Sequence, residues 1–529
     1  MKISTKIQIV FVSLIIFGSL SHSENIRATI TYPSTITNDN DGPLDLKAEI
    51  NYNNSVTNAP VMVVMHGFSG SGGFFLDYRI VAVHFRDLGF FAVTVAMRGR
   101  DGSDGVRNTG GAEIYDIYDA VEYIKGNYSD YADSTNINIM GYSGGGGNTF
   151  SALTKFPDYF RSGAPFFGMS DYGYHPTQGW YFHDDDAGHR GIMDTDIGDP
   201  RIGDPDIQDK YHARASNLAS RNNPYSEIHA FVNYNEHTCN TFHSTTYRDN
   251  AVLHESFSGE FDNITVHIGS TGVYEDFNNN GINEANELQW WPHGNPEVIN
   301  SLAAANGWYI DRVLNGSIGA PVLNSEDSLF VAGFVKTKQF ECWIGDGQNG
   351  AGELSYSLSA TQKRFEFSVA SNNKTIISRI EINTNDMYGQ LVDVILNGTV
   401  ISSFSAQEKY TYGNLLHGHT LIVKLKGSTI LIEPDKQSSI INDRIVTSPN
   451  PYIPGGRLLV VLPRMYRNKW FKVSILDSQG KYVKDFKNSA RDIVWDGLNS
   501  CGIRVPSGYY YLKIDSGTQS FCKTLILEK

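Results

Sequence analysis

Cysteine is scarce in this 529-residue sequence, with four residues at positions 239, 342, 501 and 522. A disulfide-built scaffold is thereby excluded. Cys501 and Cys522 share the last segment and could pair, whereas Cys239 and Cys342 read as small core residues. Charge is also sparse, at 19% of residues against roughly 25% in an average globular protein. A disordered or coiled-coil chain would need more of it. Basic residues are the minority, 43 against 57 acidic, and no basic cluster stands out. A nucleic-acid partner is therefore not expected. No apolar run reaches the ~20 residues that span a bilayer, so no transmembrane segment is expected in the mature chain.

Glycine (51), tyrosine (29) and phenylalanine (28) are plentiful, and hydrophobic residues make up 40%. Such a mix suits turn-rich, strand-rich globular domains, and the length leaves room for two to four of them. Residues 1–23 have the layout of a secretory signal: Lys2 and Lys6, an apolar run from Ile9 to Leu20, and small residues at alternate positions up to Ser23. The expectation is an exported, acidic chain.

From Glu24 to Gly316 strand-like and helical runs alternate, as in an α/β fold with a mostly parallel sheet flanked by helices. Strands are predicted at Pro60–Met65, Phe90–Ala96, Ile137–Met140, Gly163–Phe167, Ile228–Val232 and Ile264–Ile268. Ile114, Ile117, Tyr118, Val121 and Ile124 mark a crossover helix. An insertion at 171–223 reads as a lid, with Trp180, Tyr181 and Phe182 available to pack on a substrate group; a zinc site from His183, Asp185 and His189 is the less favoured reading. Residues 317–447 change to period-two segments, including Leu329–Val335, Phe365–Val369, Ile376–Ile382, Leu391–Leu396, Leu421–Leu425 and Ile430–Ile432. They predict a β-sandwich whose role the sequence leaves open.

Residues 448–529 run from Ser448-Pro449-Asn450-Pro451 through Val494-Trp495-Asp496-Gly497 and Pro506-Ser507-Gly508-Tyr509-Tyr510-Tyr511 to a closing strand at Lys523–Leu527. This order resembles the C-terminal sorting domain of the bacterial type IX secretion system, an immunoglobulin-like sandwich. The resemblance implies the secretion machinery as a partner. It also implies a secreted or cell-surface location in a Gram-negative, Bacteroidetes-like cell.

The chemistry centres on Gly141-Tyr142-Ser143-Gly144-Gly145, a G-x-S-x-G placed between a strand and a helix. Glycines on both sides of Ser143 permit a strained turn that presents the hydroxyl, and the helix N-terminus favours developing negative charge. Upstream, an apolar strand breaks at His66-Gly67-Phe68-Ser69-Gly70. With these motifs, residues 24–316 resemble the α/β-hydrolase superfamily, in its secreted-esterase and prolyl-oligopeptidase-like branch. The resemblance implies oxyanion-hole amides at Phe68 and Gly144. It also places Arg98-Gly99-Arg100-Asp101-Gly102-Ser103-Asp104-Gly105 where that branch carries an R-G-x-G-x-S-x-G loop; Arg98 would tie this loop down near the site, and a purely structural turn is the favoured reading.

The triad order Ser, acid, His makes His293 the candidate base, because helical spacing follows it, and leaves His267 as a core residue. Glu236 is the favoured acid, with Asp171 and Asp276 as rivals. Its surroundings depart from the family pattern G-x-x-D-x-x-V-P at three places, Asn233, Glu236 itself and Asn240. Residues 276–287 form a D-x-N-x-N-G-x₅-E loop in which Asp276, Asn278, Asn280, the Ile282 carbonyl and Glu287 would surround a structural Ca²⁺. No organic cofactor is needed.

The function expected from these residues is a serine hydrolase that cleaves carboxylic esters, on a polysaccharide or another polymer, through an acyl-enzyme. A serine peptidase of the prolyl-oligopeptidase-like type is the alternative, although the chain before residue 60 is too short for that family's propeller. A non-catalytic surface binding protein on a hydrolase scaffold is the third reading.

Overall fold

The computed structural model describes residues 24–36, 43–68, 74–172, 174–175, 179–180, 187–233, 238–253, 263–269, 274–275, 288–289, 310, 313–314, 318–369, 376–428, 446–448, 458–461, 472–477, 481–486, 493–506, 508–515 and 520–527. Eight strands make one mixed sheet: β1 (Asn25–Pro33), β2 (Asp45–Asn53), β3 (Ala59–Met65), β4 (Phe91–Ala96), β5 (Ala132–Tyr142), β6 (Ser162–Phe166), β7 (Glu227–Asn233) and β8 (Ile264–Gly269). Their order is β1-β2-β4-β3-β5-β6-β7-β8, with β2 antiparallel to both neighbours and β4 through β8 pairing in parallel.

The central strands are near-continuous apolar runs because both faces of the sheet are covered. In β3, Val61, Val63 and Met65 enter a core shared with α2 (Glu113–Asn127) and α3 (Gly144–Lys155). Met62 and Val64 point the other way, into a second core with Val81, Ala82 and Phe85 of α1 (Phe74–Asp87). Ile310 and Val313, from the segment predicted to be helical after His293, are buried in that second core.

The insertion contributes α4 (Ala187–Asp196) and α5 (Pro205–His212), and α6 (Phe242–Leu253) follows β7. A short repeat in the insertion, Ile197-Gly198-Asp199-Pro200 and then Ile202-Gly203-Asp204-Pro205, has a local structural meaning. Each aspartate caps a helix start, Asp199 accepting from the Arg201 amide and Asp204 from the Asp206 amide, with proline at the first helical position.

Beyond residue 320 a ten-stranded antiparallel sheet comprises β9 (Glu326–Ala332), β10 (Phe334–Lys336), β11 (Phe340–Trp343), β12 (Ala351–Leu358), β13 (Gln362–Val369), β14 (Ile376–Asn383), β15 (Leu391–Leu396), β16 (Thr399–Ser405), β17 (Lys409–Leu416) and β18 (Thr420–Leu425). The order is β16-β15-β18-β13-β12-β9-β10-β11-β14-β17. The two edge strands are consecutive in sequence, and Phe404 stacks on Tyr410 across them at 5.0 Å, so the sheet curls around its own apolar core.

The predicted single strand Leu329–Val335 is two strands, because Gly333, at φ +73°, turns the chain between β9 and β10. The Ile430–Ile432 strand lies outside the described residues.

This sheet is fused to the α/β part through buried groups. Phe334 and Trp343 stack at 4.8 Å and belong to the core of α2 and α3, where Tyr115 lies 5.4 and 5.6 Å from their rings. Glu341 accepts from Tyr115 Oη (3.2 Å) and Trp343 Nε1 (2.5 Å) and pairs with Lys336 and Arg379. The Lys155 ammonium group lies beneath Phe334, donating to the carbonyls of Ala213 (2.9 Å) and Ala332.

The last segment forms a three-stranded and a four-stranded antiparallel sheet between Val446 and Leu527. Cys501 is an exposed free thiol there, and the side chain of Cys522, its suggested partner, lies outside the described residues. Cys239 and Cys342 are buried, and Cys342 is a free thiol.

Candidate active site

β5 ends at Tyr142 and α3 begins at Gly144, which leaves Ser143 alone at the bend with φ 59° and ψ −123°. A non-glycine residue in that region costs about 1–3 kcal/mol and is held there only by its surroundings. Here the Ser143 amide donates to the Phe166 carbonyl at the end of β6 (2.9 Å), and the Ser143 carbonyl accepts from the Gly147 amide (3.1 Å). The side chain sits at the N-terminus of α3, and the residue is 7% exposed.

The glycines that follow permit a close approach of the β3 end. A Cβ on Gly144 would lie 2.6 Å from the backbone N and Cα of Phe68, and one on Gly145 would lie 2.3 Å from the Met65 carbonyl oxygen. Ser143, Gly144 and Phe68 are thus brought together as the sequence motifs implied. His66, at the start of the same loop, is buried, and its Nδ1 donates to the Gly67 carbonyl at 2.8 Å. Burial, reinforced by the Arg100 charge, lowers its pKa to about 4 and keeps it neutral at pH 7.

The loop after β4 is built on two buried ion pairs. Arg98 and Asp116 are both fully buried, with Arg98 Nη2 also donating to Ser34 Oγ (3.2 Å) and the Ile36 carbonyl (3.3 Å). Arg100 pairs with Glu113 at 2.9 Å. Arg98 therefore does tie this loop down, as a structural pin between α2 and the segment after β1.

Among the other candidates, Asp171 lies 3.4 Å from His243 Nδ1, both side chains being almost fully buried. His243 was not singled out in the sequence, since a lone histidine at the start of a helical run carries no local pattern. His267 stacks on Phe231 at 4.7 Å and meets His229 at 3.1 Å; burial and then the His229 charge lower its pKa to about 3. It is a packed strand residue.

Trp180 packs on Tyr174, Tyr211 and His212 within the insertion. The insertion is anchored to the loop after β4 by Arg107, whose Nε and Nη2 bond the Asp196 carboxylate at 2.6 and 2.9 Å. Glu236, His293 and the calcium loop with Asp276, Asn278, Asn280, Ile282 and Glu287 lie outside the described residues. So do Tyr181, Phe182, His183, Asp185 and the side chain of His189. Among the described residues no group of three or more His, Cys, Asp or Glu is placed to hold a metal, and no helix is long and apolar enough to cross a membrane.

A cleft of about 450 Å³ lies where the ten-stranded sheet meets the C-terminal end of α3, lined in part by Asp158, Lys338 and Lys363. Its polar groups are already engaged: Asp158 accepts from the Lys338 amide, and Lys363 bonds Gln339 and Asp386. It lies at the end of α3 opposite to Ser143, about 18 Å away for twelve residues of helix.

Residues 77–191 match the model of the prolyl oligopeptidase family, a family of serine hydrolases within the α/β-hydrolase superfamily. No curated protein matches the chain. Similar solved structures include a puromycin hydrolase, at 16% identity and TM-score 0.39, covering 57% of this chain and 41% of that one. An acylaminoacyl peptidase of Pyrococcus horikoshii matches at 18% identity and TM-score 0.40, covering 56% and 42%. An esterase of Pyrococcus furiosus matches at 13% identity and TM-score 0.34, covering 55% and 92%. The chain thus spans less than half the length of the first and second of these.

Proposed function

We propose that this chain, whose residues 77–191 match the prolyl oligopeptidase family, is an exported serine hydrolase whose preferred substrates are peptides rather than carboxylic esters. The family match carries the shift from ester to peptide, since the ester expectation rested on the appended β domains and the export signal alone. In this reading Ser143 attacks the scissile carbonyl, and His293 takes the hydroxyl proton and returns it to the leaving amine. Glu236 orients the imidazole, and water then hydrolyses the acyl-enzyme. The observation that supports Ser143 is its strained position at the head of α3, against the Phe68 backbone.

Amides at Phe68 and Gly144 would stabilise the tetrahedral oxyanion, a contribution of about 3–4 kcal/mol per donor in rate. Asp171 is the weaker candidate for the triad acid, because its carboxylate already faces His243. The 276–287 loop is assigned a structural Ca²⁺, and residues 448–529 the export address.

The test is a paired assay of the mature chain and Ser143→Ala. The substrates are alanyl- and prolyl-peptide anilides, p-nitrophenyl acetate and butyrate, and acetylated and feruloylated xylan. Anilide turnover lost with Ser143 supports the proposal. Xylan or butyrate turnover without anilide cleavage would return the ester reading, and turnover unchanged in Ser143→Ala would remove Ser143 from the chemistry.

A further inference from the structure

Arg214 follows α5, is 2% exposed, and directs every hydrogen bond it makes to a main-chain carbonyl. Nε reaches the Thr109 oxygen at 2.8 Å and Nη2 the Asn108 oxygen at 2.9 Å; Nη1 reaches Lys210 at 2.8 Å and Gln348 at 3.0 Å. One guanidinium thus joins three segments: the loop after β4, the end of α5, and the turn between β11 and β12 of the ten-stranded sheet. The planar five-donor fork suits this task, and a lysine point charge does not. Gly111 makes the fit possible, since a Cβ there would lie 2.6 Å from Nη2. A buried cation bonded to carbonyls alone is a poor source of stability. The arrangement is better explained by what it holds in place.

What it holds lies beside the candidate active site. Asn108 also donates from Nδ2 to Gln348 Oε1 at 3.1 Å. On the far side of the loop the Glu113 carboxylate accepts from the Gly110 amide (2.9 Å), the Asn108 amide (3.3 Å) and Arg100 (2.9 Å). The His66 backbone, two residues before Phe68, lies against α3, where a Cβ on Gly145 would come within 2.6 Å of the His66 carbonyl oxygen. Gly110 packs on the Tyr172 ring, whose hydroxyl donates to Asn148 of α3 at 2.8 Å.

We propose that Arg214 is a positioning residue. Through it the 346–349 turn of the ten-stranded sheet holds the 107–111 loop, and with that loop the His66–Phe68 backbone, in register with Ser143. The sheet is then a working part of the hydrolase rather than a spacer or an independent binding module. This rests on the reading of Ser143 as the nucleophile.

The test uses the full chain with Arg214→Lys, Gln348→Ala and, as a control at the same interface, Arg221→Met, which removes the 2.9 Å pair with Glu353. Thermal midpoint, kcat, KM and amide hydrogen exchange are measured. Arg214→Lys should lower kcat tenfold or more with KM within twofold, and amides at 66–68 and 99–111 should exchange faster. Gln348→Ala should show a smaller loss of the same kind, and carries the test alone if Arg214→Lys does not fold. Arg221→Met should shift the midpoint and leave both readouts unchanged.

Unaltered exchange at 66–68 in a folded Arg214→Lys chain overturns the proposal. So does a kcat loss that Arg221→Met reproduces at the same midpoint. If the wild-type chain turns over no substrate, the nucleophile reading fails, and exchange at 66–68 still decides the brace by the same criterion.

Discussion

Gly144→Ala places a methyl group between the two backbones proposed to hold the oxyanion. Its carbon would lie 2.6 Å from Phe68 N and Cα, where ordinary contact begins near 3.4 Å, so the loop or the helix start must give by about 0.8 Å. The neighbours at that distance include main-chain atoms, which cannot swing aside as a long side chain would. A misplacement of about 1 Å near reacting groups costs on the order of 100-fold, and loss of an oxyanion donor costs about 100- to 1,000-fold in kcat. Expected for Gly144→Ala is therefore a kcat loss of about 100-fold or more with KM within a few-fold, on whichever anilide or ester the wild type prefers.

Gly126→Ala, in α2, is the matched control. Its Cβ would meet nothing within 4 Å, and the helix should gain about 0.5–1 kcal/mol, read as a raised thermal midpoint with unchanged kcat. A folded Gly144→Ala chain with wild-type kcat would refute the reasoning, because Phe68 and Gly144 would then not form the oxyanion site.

Glu341→Ala removes the carboxylate that holds Tyr115, Trp343 and two cations at the sheet interface, and should cost about 3 kcal/mol, seen as a midpoint lowered by several degrees. Lys155→Met tests a pH dependence. Burial, with a smaller contribution from the Arg214 charge, lowers the Lys155 pKa from its ordinary value to about 7. Above about pH 7 the folded chain sheds this proton while the unfolded chain keeps it up to about 10.5, so this residue's contribution to stability rises with pH across that window and is flat below it. The midpoint difference, wild type minus variant, should therefore grow between pH 7 and 9.5; a constant difference would place a permanent charge at Lys155.

Most of the α/β part was legible in the sequence because its signals are local. The apolar runs at 60–65, 90–96 and 137–140 become strands, since a parallel sheet covered on both faces needs no alternation. The G-x-S-x-G bend is equally local. Long-range features were not legible. Four strands of the ten-stranded sheet, at 340–343, 351–358, 399–405 and 409–416, were not identified. Three of them put Ser, Thr, Gly and charged residues on their outward faces, and 340–343 sets Glu341 and Trp343 against Tyr115 of α2. Gly333 hid a turn inside an apolar run, because glycine in a strand pattern does not announce a positive φ. Arg214 carried no signal, since apart from Lys210 its partners are backbone carbonyls 105 to 134 residues away in sequence.

The central claim is that Ser143 is an activated nucleophile. The most direct measurement is intact mass and peptide mapping after treating the folded mature chain with a fluorophosphonate, alongside Ser143→Ala. The account predicts one adduct per chain, on the peptide containing Ser143, formed with loss of turnover and absent from the variant. A folded, unlabelled wild-type chain, or an adduct that persists in Ser143→Ala, would contradict it.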